Sequence, residues 1–438
     1  MITTTPKEYG PQPTLQQEYD VIVMGAGPGG AVSAALIAEA GLSVLLLDRS
    51  EFPRFHVGES LIPETYWTLK RLGLLEKLKA SNFPRKHSVQ FVSDGHKESA
   101  PFYFEDYNPH ECSVTWQVER GIFDQMLTDK AVENGTVFRT DASVMDVLFE
   151  GDRATGVKVK LSTEEQNPVR KIRSQVVVDS TGQSSFLVNR LGLKDTDPCL
   201  KKGTIWSYFK GALRDEGRDE GATIILQTEG KKSWFWYIPL SDDIVSVGCT
   251  GDMQYLFDKS RGKPEEVWAE ELERCPALKR RLENAQQCES FYVTKDYSYK
   301  ATQPAGPGWV LVGDASGFID PCYSTGVFLA LKSGEFAADA IIEGFQKDDL
   351  SGTQLSSWRE TYNKGVENFR RLVYAFYTPG FSFGSFLKMH PQYKSHMVDI
   401  LIGDVFKDGV DEIFREMNPV VRLALKSHNA MTDSTKTP

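Results

Sequence analysis

Gly25, Gly27 and Gly30 stand in a G-x-G-x-x-G run directly after the apolar stretch Tyr19 to Met24. The chemistry this spacing serves is pyrophosphate binding. Gly25 permits a tight turn, Gly27 lets a phosphate approach the backbone, and Gly30 lets the next helix pack close to the strand, with its N-terminus facing the phosphates. Asp48, roughly 20 residues further on, closes the following apolar run, where a carboxylate can bind a ribose hydroxyl. A second feature is SWFWYIPL over 233–240. In a strand, Trp234, Trp236 and Ile238 point one way, and Phe235 and Tyr237 the other. A plain core strand accounts for one apolar face. It does not account for two indoles, whose N–H groups need partners when buried.

These residues depend on elements that can be read from the pattern. YDVIVM, AVSAALIAEAG and LSVLLLD form a β-α-β unit with the continuous apolar runs of a parallel sheet. RSQVVVDSTG and GWVLVGDASG read as further strands of that sheet. The stretch TVFRTDASVMDVLFEGDRATGVKVKL alternates like antiparallel strands, with a turn near Gly151. The α/β dinucleotide domain is therefore expected over 19–82, 118–198 and 301–345. A mostly antiparallel substrate lobe is expected over 83–117 and 199–300, and a helical region over 346–425. Residues 1–18 read as a flexible leader and 426–438 as a disordered tail.

Composition narrows the class. The chain has 438 residues and a net charge of -10, which argues against nucleic acid and anionic membrane surfaces as partners. No apolar run approaches the ~18 residues of a membrane span. The six cysteines show no C-x-x-C and the seven histidines do not cluster, so no metal site is expected and a reducing compartment suits the chain. The N-terminus lacks the pattern of a signal peptide. A cytoplasmic enzyme or binding protein is the reading.

Further motifs bring a resemblance. Asp314 in LVGDASG, Asp179 and Gly182 in DSTG, and Arg120 in QVERGIFDQML stand in the chain order that flavoprotein monooxygenases use to hold FAD. FPRFHVGES (52–60) resembles the flavin-covering strap of flavin-dependent halogenases and of their geranylgeranyl-reductase-like relatives, and does not discriminate between them. Trp234-Phe-Trp236-Tyr-Ile238-Pro239 matches the W-x-W-x-I-P of flavin-dependent halogenases, and FIDPCYSTG (318–326) fits their F-x-x-P-x-x-S-x-G pattern. NFPRKHS places Lys86 where the pyrrole-type enzymes carry a catalytic lysine, with Lys79 and Arg85 as rivals. The chain thus resembles a flavin-dependent halogenase of the smaller branch that acts on pyrroles and phenols. The implied fold is a p-hydroxybenzoate-hydroxylase-like FAD-binding Rossmann-like domain interwoven with the substrate lobe.

The resemblance implies that reduced FAD, O2 and chloride or bromide give hypohalous acid, which Lys86 presents to an electron-rich aromatic ring. Such a ring is a phenol or pyrrole, free or tethered to a carrier protein. An amine suits this task because it is compact, has rotatable donors and shifts its pKa when buried. Ser324, Thr325 and Gly326, at a loop-to-helix junction, are the implied halide site. Trp234, Trp236, Pro321 and Tyr323 are the implied lining between flavin and substrate. Tryptophan-acting halogenases carry a glutamate where this chain has Tyr323, which favours an already activated ring. A separate NAD(P)H-dependent flavin reductase is the implied partner. Two relatives of the same fold fit less well. Aromatic hydroxylases have a histidine after the Gly-Asp-Ala, absent here, and prenyl-chain reductases have no use for W-x-W-x-I-P.

Overall fold

Runs of β-branched and aliphatic residues without polar interruption form strands covered on both faces. In the computed structural model, which describes residues 13–162, 168–295 and 297–434 (side chains to residue 426), they build two eight-stranded sheets. In the first sheet, Glu18–Met24 lies between Val44–Leu47 and Val169–Asp179, and Trp309–Leu311 extends it beyond Val169–Asp179. All of these pairings are parallel. The chain therefore returns to this sheet after each long excursion, as the apolar runs indicated. The hairpin Ala142–Glu150 and Arg153–Leu161 adds antiparallel strands at the far side of Val169–Asp179. Its expected neighbour Val137–Arg139 departs from the antiparallel reading and pairs parallel with Leu45 to Leu47. Three residues are too short to show the difference by alternation.

The second sheet runs Gln286–Gln287, Lys202–Lys210, Ile244–Asp252, Ser233–Pro239, Thr223–Gln227, Ser88–Val92, Phe102–Tyr103, with Tyr292–Lys295 also on Lys202–Lys210. It is antiparallel apart from Thr223–Gln227 on Ser88–Val92. Residues of both expected substrate-lobe segments thus share one sheet. Alternation along Ser233–Pro239 divides its side chains between two cores. Trp234, Trp236 and Ile238 join the core shared with the first domain, and Phe235 and Tyr237 the core on the opposite face.

Helix Thr325–Lys347 crosses helix Pro28–Glu39 at backbone contact. A Cβ on Gly334 would stand 2.4 Å from the Gly29 carbonyl oxygen, and Ser33 Oγ bonds the Gly334 carbonyl at 3.0 Å. Helices Arg359–Tyr377, Phe383–Met389, Lys394–Ile402 and Ile413–Ser434 follow. The last one passes the boundary at 426 expected for a disordered tail; SHNAMTDS is polar but holds no proline or glycine to stop a helix. Most of the expected leader lies outside the described residues. Of its described part, Leu15 is buried and the Gln16 N–H donates to the Tyr19 hydroxyl.

Candidate active site

The glycine run opens one wall of a cavity of about 510 Å³ between the two sheets. The three glycines do different work there. Gly25 has φ +97°, and a Cβ would lie 2.4 Å from the Ser180 carbonyl oxygen. A Cβ on Gly30 would lie 2.0 Å from the Gly25 carbonyl oxygen, so both are glycines of close packing. Gly27 lines the cavity, and its Cβ would meet nothing nearer than Arg54 Nη2 at 3.6 Å. The helix beginning at Pro28 directs its N-terminus into the same space. Asp48, at the end of the second strand, is oriented by the N–H groups of Ala26 and Ser50, both at 2.9 Å.

The strap residues Arg54 to Gly58 form another wall. Arg54, not singled out by sequence reasoning, holds its guanidinium at the cavity with Nη1 3.2 Å from Asp124 Oδ2. Phe55 stacks on Tyr292 at 4.6 Å, and Tyr292 on Trp206 at 5.4 Å, fastening the strap to the second sheet. His56 lies beside two guanidiniums; burial and then those charges push its pKa down to about 4, so it is neutral. Arg120 is on the cavity wall, but its Nε and Nη2 bind Asp124 at 2.8 and 3.0 Å and Nη1 binds the Val57 carbonyl at 2.7 Å. It holds the strap in place as much as it faces the cavity. Asp314 also lines the space, with its carboxyl raised to about 6 by burial against the pull of Arg120.

Asp179 is not among the residues that line the cavity. Its carboxylate is fully buried and accepts from Thr181 N, Thr181 Oγ1 and Leu187 N at 2.7 to 3.0 Å, which makes it the organiser of the turn. Gly182, with Ser180, Thr181 and Gln183, makes the wall there instead. A strand-ending Asp before Ser-Thr-Gly binds its own turn readily, and the sequence alone does not separate that role from ligand contact.

A dinucleotide fits this cavity by its chemistry: an open glycine backbone and helix start beneath a guanidinium, with carboxylates at either end. FAD would be held by the Gly25 to Gly30 loop, Asp48, Arg54 and Asp314.

Of the halogenase-type motifs, Trp236, Phe318, Pro321 and Gly326 line the cavity, whereas Lys86, Trp234, Tyr323, Ser324 and Thr325 do not. Trp236 lines the cavity and its ring covers Gly248, where a Cβ would stand 2.2 Å from the indole. Its Nε1 donates to Ser246 Oγ at 3.1 Å. Trp234 is bound elsewhere: its Nε1 donates to the Tyr377 hydroxyl at 2.9 Å, and Tyr377 donates to the Asp320 carboxylate at 3.1 to 3.2 Å. Burial lifts the Asp320 carboxyl to about 7. Both indole N–H groups thus have the partners that burial demands, and helix Arg359–Tyr377 ties the tryptophan strand to the loop before Ser324. Sequence reasoning missed Tyr377; the only signal was the aromatic density of YAFY at a helix end.

Pro321 and Gly326 line the cavity, and Thr325 and Gly326 open helix Thr325–Lys347. First-turn N–H groups lack intrahelical carbonyls and so are free to bind an anion. Ser324 occupies the cap position at φ +56°, and its side chain makes no capping bond. Tyr323 is buried against Phe376 of the C-terminal region.

Lys86 lies in the two-residue strand Arg85–Lys86, paired with Thr115–Trp116. It is 2% exposed, and its Nζ donates to Ser60 Oγ at 2.8 Å and to the Leu61 carbonyl at 2.9 Å. Phe104 covers it at 5.6 Å. Among the described residues no carboxylate pairs with it. Burial alone lowers its pKa from 10.5 to about 7. The rivals differ: Lys79 pairs with Glu76 and Glu111 at the surface, and Arg85 is exposed.

The tryptophan halogenase family model matches residues 20–111 and 105–381. The chain is 28% identical over 424 residues to a 1H-pyrrole-2-carbonyl-(peptidyl-carrier protein) chlorinase of Pseudomonas fluorescens, covering 92% of this chain and 93% of that one. It is 31% identical over 393 residues to the corresponding brominase of Pseudoalteromonas luteoviolacea, covering 89% and 93%. Among solved structures, a flavin-dependent brominase matches with TM-score 0.81 and 28% identity over 94% of this chain and 100% of that one. The myxobacterial chondrochloren halogenase, described as a variant of FAD-dependent halogenases, matches with TM-score 0.76 and 29% identity over 94% and 97%. Among the described residues, no helix is long and apolar enough to cross a membrane.

Proposed function

This chain belongs to the tryptophan halogenase family, and from that premise we propose that Lys86 is the group through which it transfers halogen to an electron-rich aromatic ring. The protein is a flavin-dependent halogenase with FAD as cofactor. The chemistry FAD supplies when bound in its reduced form is the conversion of O2 and a halide to hypohalous acid and water. The chain's own residues do the rest. The Gly25 to Gly30 loop and Arg54 would hold the pyrophosphate, Asp48 the ribose, and Asp314 the ribityl chain. The N–H groups of Thr325 and Gly326, with Ser324, hold the halide. Trp236 and the wall behind it keep the aromatic substrate away from the flavin, so that the oxidant travels and the substrate does not.

The observation that carries the reading is the Lys86 amine: buried, held by two neutral acceptors and, among the described residues, paired with no carboxylate. Near neutral pH such an amine exists in both forms. As the ammonium it donates a hydrogen bond to hypohalous acid; as the neutral amine it offers a lone pair to the halogen. A carboxylate partner would remove the second option by fixing the charge. The substrate we propose is a pyrrole or phenol carried by a peptidyl carrier protein, since both pyrrole-acting relatives are named for a carrier-borne pyrrole-2-carbonyl group. Tyr323, packed on Phe376 where tryptophan-acting enzymes place a glutamate, supports a ring that needs no such help. A separate flavin reductase supplies the reduced cofactor.

The test is to combine the protein with FAD, a flavin reductase, NADH and chloride or bromide, and to offer phenols and pyrroles both free and carrier-bound. Halogen isotope patterns on the carrier-bound ring are expected. Hydroxylated products without halogen would contradict the halogenase reading, and halogenation of free rings alone would contradict the carrier.

A further inference from the structure

Resting on the assignment of Lys86 above, we infer that Ser60 is the positioning residue of that lysine: its hydroxyl takes one N–H of the amine and leaves the nitrogen's remaining position open to the oxidant. The first support is a count of donors. A neutral amine has two N–H groups and one lone pair. Lys86 has two acceptors, Ser60 Oγ at 2.8 Å and the Leu61 carbonyl at 2.9 Å. Both N–H groups are engaged and the lone pair is left over. Ser60 is the last residue of the strap, whose residues 54–58 wall the flavin cavity, and Leu61 follows it directly.

The second support is that Ser60 is itself held in orientation. Gln117 Nε2 donates to the Gly221 carbonyl and to Thr223 Oγ1, both at 2.8 Å. The carbonyl contact fixes which end of the amide is nitrogen, so Thr223 Oγ1 is the acceptor there and its own hydrogen is available to Ser60 Oγ, 2.8 Å away. The two lone pairs of Ser60 are then met by Thr223 and Lys86. All four side chains are buried.

The third support is the strand geometry. Lys86 lies opposite Thr115, and Ser60 opposite Gln117, in antiparallel pairing. Residues directly opposite share a face, as do Thr115 and Gln117 two apart, so Lys86, Ser60, Thr115 and Gln117 project to one side. Thr115 Oγ1 and Gln117 Oε1 on that side are buried without a hydrogen-bond partner among the described residues. The face that carries the amine thus also carries polar atoms able to meet a small hydroxylic oxidant.

Among the described residues no charged group is paired with the amine, and burial is the only cause that shifts it. Glu59 is bonded to Tyr208, Glu105 to His87 and Arg218, Glu111 to Tyr66 and Lys79, and Glu119 to Ser241. Arg85 turns to the Lys79 carbonyl.

The experiment measures how much of the oxidised flavin's equivalents appear as halogenated product, how much hypohalous acid a small scavenger traps, and how capture varies with pH. Variants are Ser60→Ala, Ser60→Thr, Thr223→Val and Lys86→Ala, with the spectrum of bound FAD as the control for folding. Ser60→Ala is expected to lower capture about 10-fold, with a matching rise in trapped oxidant. Losing an acceptor harms the ammonium more than the neutral amine, so the Lys86 limb of the profile should move to lower pH, by roughly half a unit to one unit. Ser60→Thr, which keeps the hydroxyl, should restore both. Should Ser60→Ala not bind FAD, Thr223→Val carries the test, with a smaller shift in the same direction. Undiminished capture with an unmoved limb would overturn the role of Ser60. Capture that falls without any movement of the limb would mean that Ser60 only fills space, which also overturns it. Retained capture in Lys86→Ala would instead overturn the assignment of Lys86 on which this rests.

Discussion

Replacing Lys86 with methionine tests whether its amine is as buried as the structure places it, independently of any turnover. Burial alone brings that amine from 10.5 to about 7, a gap worth about 5 kcal/mol. In the unfolded chain the amine keeps its ordinary value. Between pH 7 and 10.5 the unfolded state therefore binds more protons than the native state, and stability rises with pH. Relative to a lysine that stays neutral, the buried group costs about 4 kcal/mol at pH 7 and about 2 kcal/mol at pH 9. Methionine has the length but no charge. It leaves Ser60 Oγ and the Leu61 carbonyl without their donor, at about 1–3 kcal/mol each, but that penalty does not depend on pH. The quantity to measure is the difference of differences. Urea unfolding followed by tryptophan fluorescence, at pH 7 and 9 for both proteins, should show the wild type gaining about 2 kcal/mol more than Lys86→Met on the alkaline side. Other titrating groups are common to the two proteins and cancel. Equal pH dependence in both would mean a solvated, charged lysine, and the reasoning about its lone pair would fail.

The remaining expectations concern the cofactor, the clamp and the halide. Gly27→Ala meets no atom closer than 3.6 Å, so the FAD-free protein should melt within about 1 °C of wild type while FAD affinity, read by flavin fluorescence, falls about 10-fold or more. Gly25→Ala, strained at φ +97° and 2.4 Å from a carbonyl oxygen, should lower the melting temperature itself. Tyr377→Phe unpairs the Trp234 N–H and removes a donor from Asp320, and should cost about 1–3 kcal/mol in urea unfolding with a shift in tryptophan emission; an unchanged spectrum would contradict the clamp. Ser324→Gly relieves a left-handed non-glycine residue and should add up to about 1 kcal/mol of stability. If its hydroxyl holds the halide, the same change raises the KM for bromide at constant FAD affinity.

Legibility of the sequence followed the range of the interactions. Strands buried on both faces, the glycine turn and the alternation of SWFWYIPL are local patterns, and the structure keeps each of them, including the division of Trp234 and Trp236 from Phe235 and Tyr237 between two cores. Roles that depend on which of two partners a side chain takes were less legible. Asp179 and Arg120 carry the right charges in the right order, yet one organises its own turn and the other holds Asp124 and the strap. Trp234 and Trp236 look equivalent in sequence, but the first is bound to Tyr377, 143 residues away, and the second faces the cavity. Arg54 stood inside the strap motif without a local reason to prefer it over its neighbours. Lys86 was found by its context and not by its type; what makes it unusual, two neutral acceptors at the end of the strap and, among the described residues, no paired carboxylate, is visible only once segments 59–61, 84–86 and 115–118 lie side by side.

The most direct test of the account separates oxidant formation from halogen transfer at Lys86. Wild type and Lys86→Ala are supplied with FAD, a flavin reductase, NADH and bromide in the presence of a carrier-bound pyrrole, and reoxidation of reduced flavin is followed together with the product mass. The account predicts that both proteins reoxidise flavin, that wild type yields the paired isotope peaks of a brominated ring, and that Lys86→Ala yields none. Brominated ring from Lys86→Ala at the wild-type level would contradict it.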